Sequence, residues 1–130
     1  MKEKRQKPIR LGELQLRILQ VLWEAAEPLG VSEVRQRLKG AALAYTTVAT
    51  MLRKMEARGL VIHREDGRKF LYSPDVTTDQ VSQSISGDLV DRLFSGSLTD
   101  AVSHLLESRD VDEAELAELE RMIRKRKRQR

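Results

Sequence analysis

The stretch of sequence that decides the fold spans residues 44–59 and reads AYTTVATMLRKMEARG. Its large apolar residues recur on one stripe at helical spacing, which predicts an amphipathic helix. They are Val48, Met51, Leu52 and Met55. The opposite face carries short hydroxyls and then long cations, namely Thr46, Thr47, Thr50, Arg53 and Lys54. Gly59 is of the type that commonly ends a helix.

That polar face lacks the alternation of Glu and Lys that is typical of an ordinary solvated helix. Short side chains allow a helix to approach a DNA groove closely. Hydroxyls can bond bases or phosphates, and cations neutralise phosphates. We therefore interpret residues 44–59 as a DNA-recognition helix.

The residues before this helix predict two more helices. Residues 11–25 carry an apolar stripe, residues 27–30 break it, and residues 31–39 form a short second helix. Trp23, the single tryptophan, is expected to anchor a core or an interface. The predicted order is a helix, a break, a short helix, a turn and a polar-faced helix. This is the order of a helix-turn-helix motif.

The residues after it change to a strand pattern. Residues 61–64 and 69–72 predict two short strands, and the Asp66-Gly67 pair between them is a strong hairpin signal. A hairpin directly after the third helix is typical of a winged helix. Its cations are expected to reach DNA phosphates, although an ordinary exposed hairpin is the open alternative. These cations are Arg64, Arg68 and Lys69.

Three further amphipathic helices are predicted in residues 76–123. The first runs from Thr77 or Thr78 to about Phe94, and the other two follow capping residues Ser97 and Asp112. They form a poor core alone, so they either fold back or pair with a second copy. We favour pairing, because a helix-turn-helix repressor needs two half-sites. The predicted dimerisation residues are Ile85, Leu89, Leu93, Leu105, Leu116, Leu119 and Ile123.

Charge separates these regions. Residues 1–75 hold 15 Lys and Arg against 9 Asp and Glu, whereas residues 76–123 hold 3 against 11. The first part could meet a polyanion and the second would be repelled by one. We predict a basic flexible arm, a winged-helix DNA-binding domain, a helical dimerisation domain and a basic tail. Their bounds are residues 1–10, 11–75, 76–123 and 124–130.

Enzymatic and metal chemistry find no support in the sequence. There is no cysteine and no Gly-rich phosphate loop, and neither His63 nor His104 has a second ligand at metal-binding spacing. We expect no cofactor, no metal and no catalytic residue. No apolar run approaches the length of a membrane span, and no apolar segment follows the charged N-terminus as in a secretory signal. The sequence therefore predicts a cytoplasmic protein without membrane insertion.

Several motifs recur in the order of a known family. They are LGEL at 11–14, VLW at 21–23, VSEV at 31–34, AYTTV at 44–48, LV at 60–61, DGR at 66–68, LVDRLFSG at 89–96 and EAELAEL at 113–119. Over about residues 11–123 the chain resembles the BlaI/MecI/CopY family of bacterial transcription repressors, of the penicillinase-repressor type. The AYTTV and LFSGS runs are the most specific parts of this resemblance.

The resemblance implies a winged helix, a helical dimerisation domain and a homodimer that blocks transcription on a dyad-symmetric operator in double-stranded DNA. It also implies that Tyr45 lies on the recognition helix with the threonines and Arg53. In the β-lactam branch, a membrane sensor metalloprotease triggers cleavage just before a Phe, which corresponds here to the Leu93–Phe94 bond. The family typically has Asn where this chain has Leu93. The copper branch uses cysteine pairs near the C-terminus, which this chain lacks.

We therefore predict a mostly α fold with a small β wing, and a sequence-specific, dimeric DNA-binding repressor linked to antibiotic resistance. Two alternatives stay open: a winged-helix module for non-specific DNA packaging, and one for protein–protein contacts. A small hydrolase would need a catalytic constellation that the sequence does not show.

Overall fold

The computed structural model describes residues 9–39 and 42–130. Six helices and one two-stranded antiparallel sheet follow one another in these residues, so the predicted mostly α fold with a small β wing is confirmed. Residues 1–8 of the predicted basic arm, and Gly40 and Ala41 of the loop before the recognition helix, lie outside the described residues. The elements are α1 (Glu13–Ala25), α2 (Val31–Arg37), α3 (Tyr45–Ala57), β1 (Val61–Asp66), β2 (Lys69–Pro74), α4 (Thr78–Leu93), α5 (Leu98–Ser108) and α6 (Glu113–Arg128).

The core of the winged helix is built from one stripe of each of the first three helices. Each stripe lies at helical spacing and is removed from water almost completely. Leu19 of α1 is fully buried, because α1 packs against both α2 and the wing. The core residues of the three helices are Ile18, Leu19, Leu22, Val34, Val48, Leu52 and Met55.

The base of the wing is tied to the loop between α1 and α2. The amide of Leu29 donates to the carbonyl of Tyr72 at 2.9 Å, and the amide of Tyr72 donates back to Leu29 at 2.7 Å. Val61 of β1 and Tyr72 of β2 are both buried. This part of the hairpin is therefore held by the core and not only by its own strand pairing.

The outer part of the wing is a regular antiparallel ladder. Asp66 pairs with Lys69 across a turn in which Gly67 has a φ of 64°, a value that suits glycine. Both strands extend two residues beyond the predicted bounds, to Asp66 and Pro74. The Asp-Gly signal therefore located the turn correctly.

The start of α4 packs on the winged helix. Val81 is buried in the same core, and the amide of Ile9 donates to Ser84 Oγ at 2.6 Å. The Trp23 indole donates to the carbonyl of Val76 at 2.9 Å, which is the anchoring role predicted for it. The chain divides into two compact units within α4, at Ser86. The functional division into domains stays a prediction.

The second compact unit, Gly87–Arg130, contains two capped helices. Ser97 Oγ accepts from the amide of Asp100 at 3.1 Å, and Asp112 Oδ1 accepts from the amide of Glu115 at 2.8 Å, so both predicted caps are confirmed. Helix α6 runs to Arg128, so the first residues of the predicted basic tail are helical, and their cations suit the helix C-terminus. Among the described residues, no helix combines the length and apolarity needed to cross a membrane.

Candidate nucleic-acid interface

The polar face of α3 is exposed as predicted. The buried stripe on its other side, formed by Val48, Leu52 and Met55, fixes the rotation of the helix about its axis. The face turned to solvent consists of Thr46, Thr47, Thr50, Arg53 and Lys54. Its contact with DNA stays a prediction.

Two adjoining depressions divide this face. Four of its residues line a shallow groove of about 310 Å³, which has Met51 as a further lining residue. Three hydroxyl-bearing residues and one cation line this groove, a combination that can bond base edges and neutralise a phosphate. The four residues are Thr46, Thr47, Thr50 and Lys54.

A second groove of about 350 Å³, the wing groove, lies between α2, α3 and the wing. Arg53 of α3 and the wing cations Arg68 and Lys69 all line it, so the fold brings a cation of α3 to two neighbouring cations of the wing. Three cations around one groove favour a polyanion such as a DNA strand. The other lining residues are Gly30, Val31, Ser32, Glu33, Tyr45, Ala49, Phe70 and Tyr72.

The third predicted wing cation, Arg64, is not brought to this groove. It pairs with Leu71 across the hairpin, between His63 and Glu65 of its own strand. Because successive side chains of a strand point to opposite faces, Arg64 lies on the face of the wing opposite His63 and Tyr72. Arg64 therefore does not share this groove with Arg68 and Lys69.

Tyr72, which also lines the wing groove, contributes no charge to it. Burial raises the pKa of the Tyr72 phenol above its ordinary value, and the nearby Glu56 carboxylate raises it further, while the Arg53 guanidinium acts in the opposite sense. The phenol is therefore protonated at neutral pH. It adds no negative charge to a groove that is lined by cations.

Some cations of the basic half are used within the fold. Arg58 donates to Gln15 Oε1 at 3.0 Å and also to the carbonyl of Arg10. Arg35 donates to the carbonyl of Leu43 at 2.6 Å. Charge counting could not separate these structural arginines from those that face the grooves, because each partner is a backbone or amide oxygen with no sequence signal.

One contact between α3 and the wing, that of Glu56 with His63, is not indicated by any sequence pattern. His63 Nδ1 lies 2.7 Å from both carboxylate oxygens of Glu56. His63 lies in the wing strand, as predicted, but no periodic pattern connects it to a residue seven positions earlier in a different type of element. Within the described residues, no cluster of three potential metal ligands occurs.

The bond considered for cleavage lies at the end of α4. Leu93 is the last residue of the helix and its exposed fraction is 66%. Phe94 is partly buried, with its ring 5.8 Å from that of His104. Ser95 and Gly96 then turn the chain with φ values of 50° and 81°. The bond therefore adjoins a tight turn and has an exposed residue on one side.

The second compact unit has an apolar groove of about 520 Å³ between α5 and α6. Of the predicted dimerisation residues, Leu116, Leu119 and Ile123 line it, while Leu89, Leu93 and Leu105 are exposed elsewhere in this unit. Ile85 belongs to the first unit. Three apolar residues outside the predicted set, Val102, Leu106 and Met122, also line the groove.

Known proteins resemble this chain over most of its length. A sequence model of the penicillinase repressor family matches residues 11–125. The transcriptional regulator BlaI of Mycobacterium tuberculosis is 36% identical over 121 residues, which cover 85% of this chain and 86% of that protein. The penicillinase repressor of Bacillus licheniformis is 25% identical over 118 residues, 90% of this chain and 91% of its own. The solution structure of the DNA-binding domain of the repressor BlaI covers 57% of this chain and 90% of its own, with 25% identity and a TM-score of 0.49.

Proposed function

This chain belongs to the penicillinase repressor family, and on that premise we propose that it represses transcription as a homodimer bound sequence-specifically to a dyad-symmetric DNA operator. The family consists of transcription repressors and not of enzymes. We propose genes of antibiotic resistance as its targets and the cytoplasm, where the DNA is, as its place of action.

One observation carries the DNA-binding part of the proposal: the exposed polar face of α3 adjoins a groove lined by cations of both α3 and the wing. An α-helix fits the DNA major groove, where base pairs are distinguishable. In this arrangement Tyr45, Thr46, Thr47 and Thr50 approach base edges or nearby phosphates. Arg53, Lys54 and the wing cations, Arg64 included, neutralise the backbone and supply much of the affinity.

The dimeric part of the proposal rests on the second compact unit. Ala101 is the one buried residue of Gly87–Arg130, while large apolar side chains of α5 and α6 stay exposed. A second copy would cover the apolar groove by symmetry, and two recognition helices would then engage two half-sites. The acidic excess of residues 76–123 argues against a second DNA surface there.

We also propose that repression is relieved by cleavage of the Leu93–Phe94 bond, triggered by a membrane sensor metalloprotease. Cleavage there would separate α5 and α6 from the winged helix and so remove the proposed dimer contacts. The test is the intact mass of the chain after coexpression with such a sensor and exposure to a β-lactam. A fragment ending at Leu93 supports this route, whereas an intact chain with a derepressed operator excludes it.

The function as a whole is tested by selecting bound fragments from a random duplex pool at physiological salt. A pseudo-palindrome with two matching half-sites is expected. Recovery of unrelated fragments, with binding that vanishes on modest addition of salt, would instead favour a non-specific DNA-packaging protein. Absence of DNA binding would favour a winged helix that contacts proteins.

Replacement of Thr47 or Arg53 by alanine is expected to weaken binding to the selected duplex. A loss of about 1–3 kcal/mol, roughly 5- to 150-fold in affinity, is typical when a base or charged backbone contact is removed. Both side chains are exposed, so the thermal unfolding midpoint should not change. Gln20→Ala, at an exposed position of α1, is the matched control. Unchanged affinity in both variants would remove α3 from the interface.

A further inference from the structure

The contact between Glu56 and His63 joins two elements of the proposed interface. Glu56 lies in the last turns of α3 and His63 lies in the middle of β1. His63 Nδ1 is 2.7 Å from Oε1 and 2.7 Å from Oε2 of the carboxylate. Since a carboxylate can only accept, the Nδ1–H group is the donor. The recognition helix therefore holds the imidazole of the wing directly.

The same imidazole holds the second wing strand through its ring face. The ring of Phe70 in β2 stacks on it, with centroids 4.1 Å apart and planes 18° from parallel. Phe70 follows Arg68 and Lys69 directly in the chain, and both of these cations line the wing groove. A continuous path of contacts thus runs from α3 through Glu56 and His63 to the segment that carries the wing cations.

The outer wing has little else to fix its direction. Burial of Val61 and Tyr72, and the hydrogen bonds between Leu29 and Tyr72, hold only the base. Every residue from 64 to 70 is exposed, and the exposed fraction of Phe70 is 42%. An isolated two-stranded hairpin is marginally stable at best. The direction of the outer wing relative to α3 therefore depends on specific side-chain contacts.

We propose that Glu56 and His63 are a positioning pair that aims Arg68 and Lys69 at the DNA backbone beside α3. The pair sets how many phosphates each subunit neutralises, although neither residue needs to touch DNA. This inference rests on the proposed function and adds a determinant of affinity that lies outside the recognition surface.

A simpler electrostatic role for Glu56 predicts the opposite result. A carboxylate beside a DNA-binding groove repels phosphate, so its removal would tighten binding. If Glu56 instead positions the wing, its removal weakens binding and reduces the number of phosphates that the wing neutralises. The sign of the change separates the two roles.

The test is Glu56→Ala in the full chain, with affinity for the selected duplex measured over a series of salt concentrations. For each phosphate that the wing no longer neutralises, the log–log salt slope should become shallower by about 0.9, and affinity at about 0.15 M salt should fall roughly fivefold. His63→Ala removes the other partner of the contact and should change the slope and the affinity in the same way. Tighter binding, or an unchanged slope in both variants, would overturn the proposal.

Two matched variants control for charge. Glu56→Gln removes the same charge but keeps an oxygen that accepts from His63, so it should retain the wild-type slope. Glu65→Gln removes a carboxylate of the wing that is not part of the pair and should not make the slope shallower. A Glu56→Gln slope as shallow as that of Glu56→Ala would show that charge, and not the hydrogen bond, is responsible, which contradicts positioning.

A combined variant tests whether the pair acts through the wing. In a background of Arg68→Ala and Lys69→Ala, the addition of Glu56→Ala should not change the slope further. A full additional change would overturn the proposal. If the wild-type chain shows no sequence preference, the proposed function fails, whereas a steep wild-type slope that Glu56→Ala leaves unchanged defeats only the positioning role.

Discussion

The double substitution Leu116→Asp and Ile123→Asp is expected to convert the protein to a monomer. It should also lower the affinity for a duplex with two half-sites by roughly 100-fold or more. Both side chains line the apolar groove of the second compact unit. Burial of two carboxylates in a dimer contact costs free energy, whereas burial of the two aliphatic side chains that they replace is favourable. A dimer binds its second half-site at high effective concentration, and a monomer lacks that gain.

The measurement is molar mass by light scattering, followed by titration of one-half-site and two-half-site duplexes. Binding to one half-site should be retained, because the winged helix is unchanged. Ala114→Asp introduces the same side chain at an exposed position near the start of α6, away from the groove, and should stay dimeric. A dimer in the double variant would show that other residues form the interface.

Leu52→Ala is expected to lower the free energy of unfolding of the winged helix by about 2–5 kcal/mol, the usual cost of truncating a buried leucine. Leu52 is completely buried at the centre of α3. The destabilisation combines the removed apolar packing with the cavity that remains. Urea unfolding followed by fluorescence is a suitable measurement, because the single tryptophan, Trp23, lies in the winged helix and reports on that unit.

Thr50→Ala provides the comparison two residues away on the exposed face of the same helix. Its free energy of unfolding should stay within about 0.5 kcal/mol of the wild type, while its operator affinity should fall. Together the two variants separate the stabilising and DNA-facing sides of α3. An unchanged unfolding midpoint for Leu52→Ala would contradict the packing described for this core.

Local patterns were sufficient to predict the order of the elements and the rotation of α3. The stripe of Val48, Leu52 and Met55 has the period of a helix, so it specifies which face is buried without any knowledge of the partner. Caps at Ser97 and Asp112 and the Asp66-Gly67 turn depend on hydrogen bonds and dihedral angles within four residues. Each of these features is confirmed in the structure.

Contacts between elements were decided only by the tertiary structure. Three such contacts join residues from different parts of the fold. They are the hydrogen bonds between Leu29 and Tyr72, the contact of Glu56 with His63, and the hydrogen bonds of Arg58 to the first helix and the residues before it. The packing angles of those elements, and not any periodic pattern, determine the distances. The sequence determined by itself that a cationic wing follows a hydroxyl-lined helix. The strand register and the packing of the first three helices decided which cations share a groove with Arg53 and what holds the wing beside α3. Both bring together side chains that are distant in the chain.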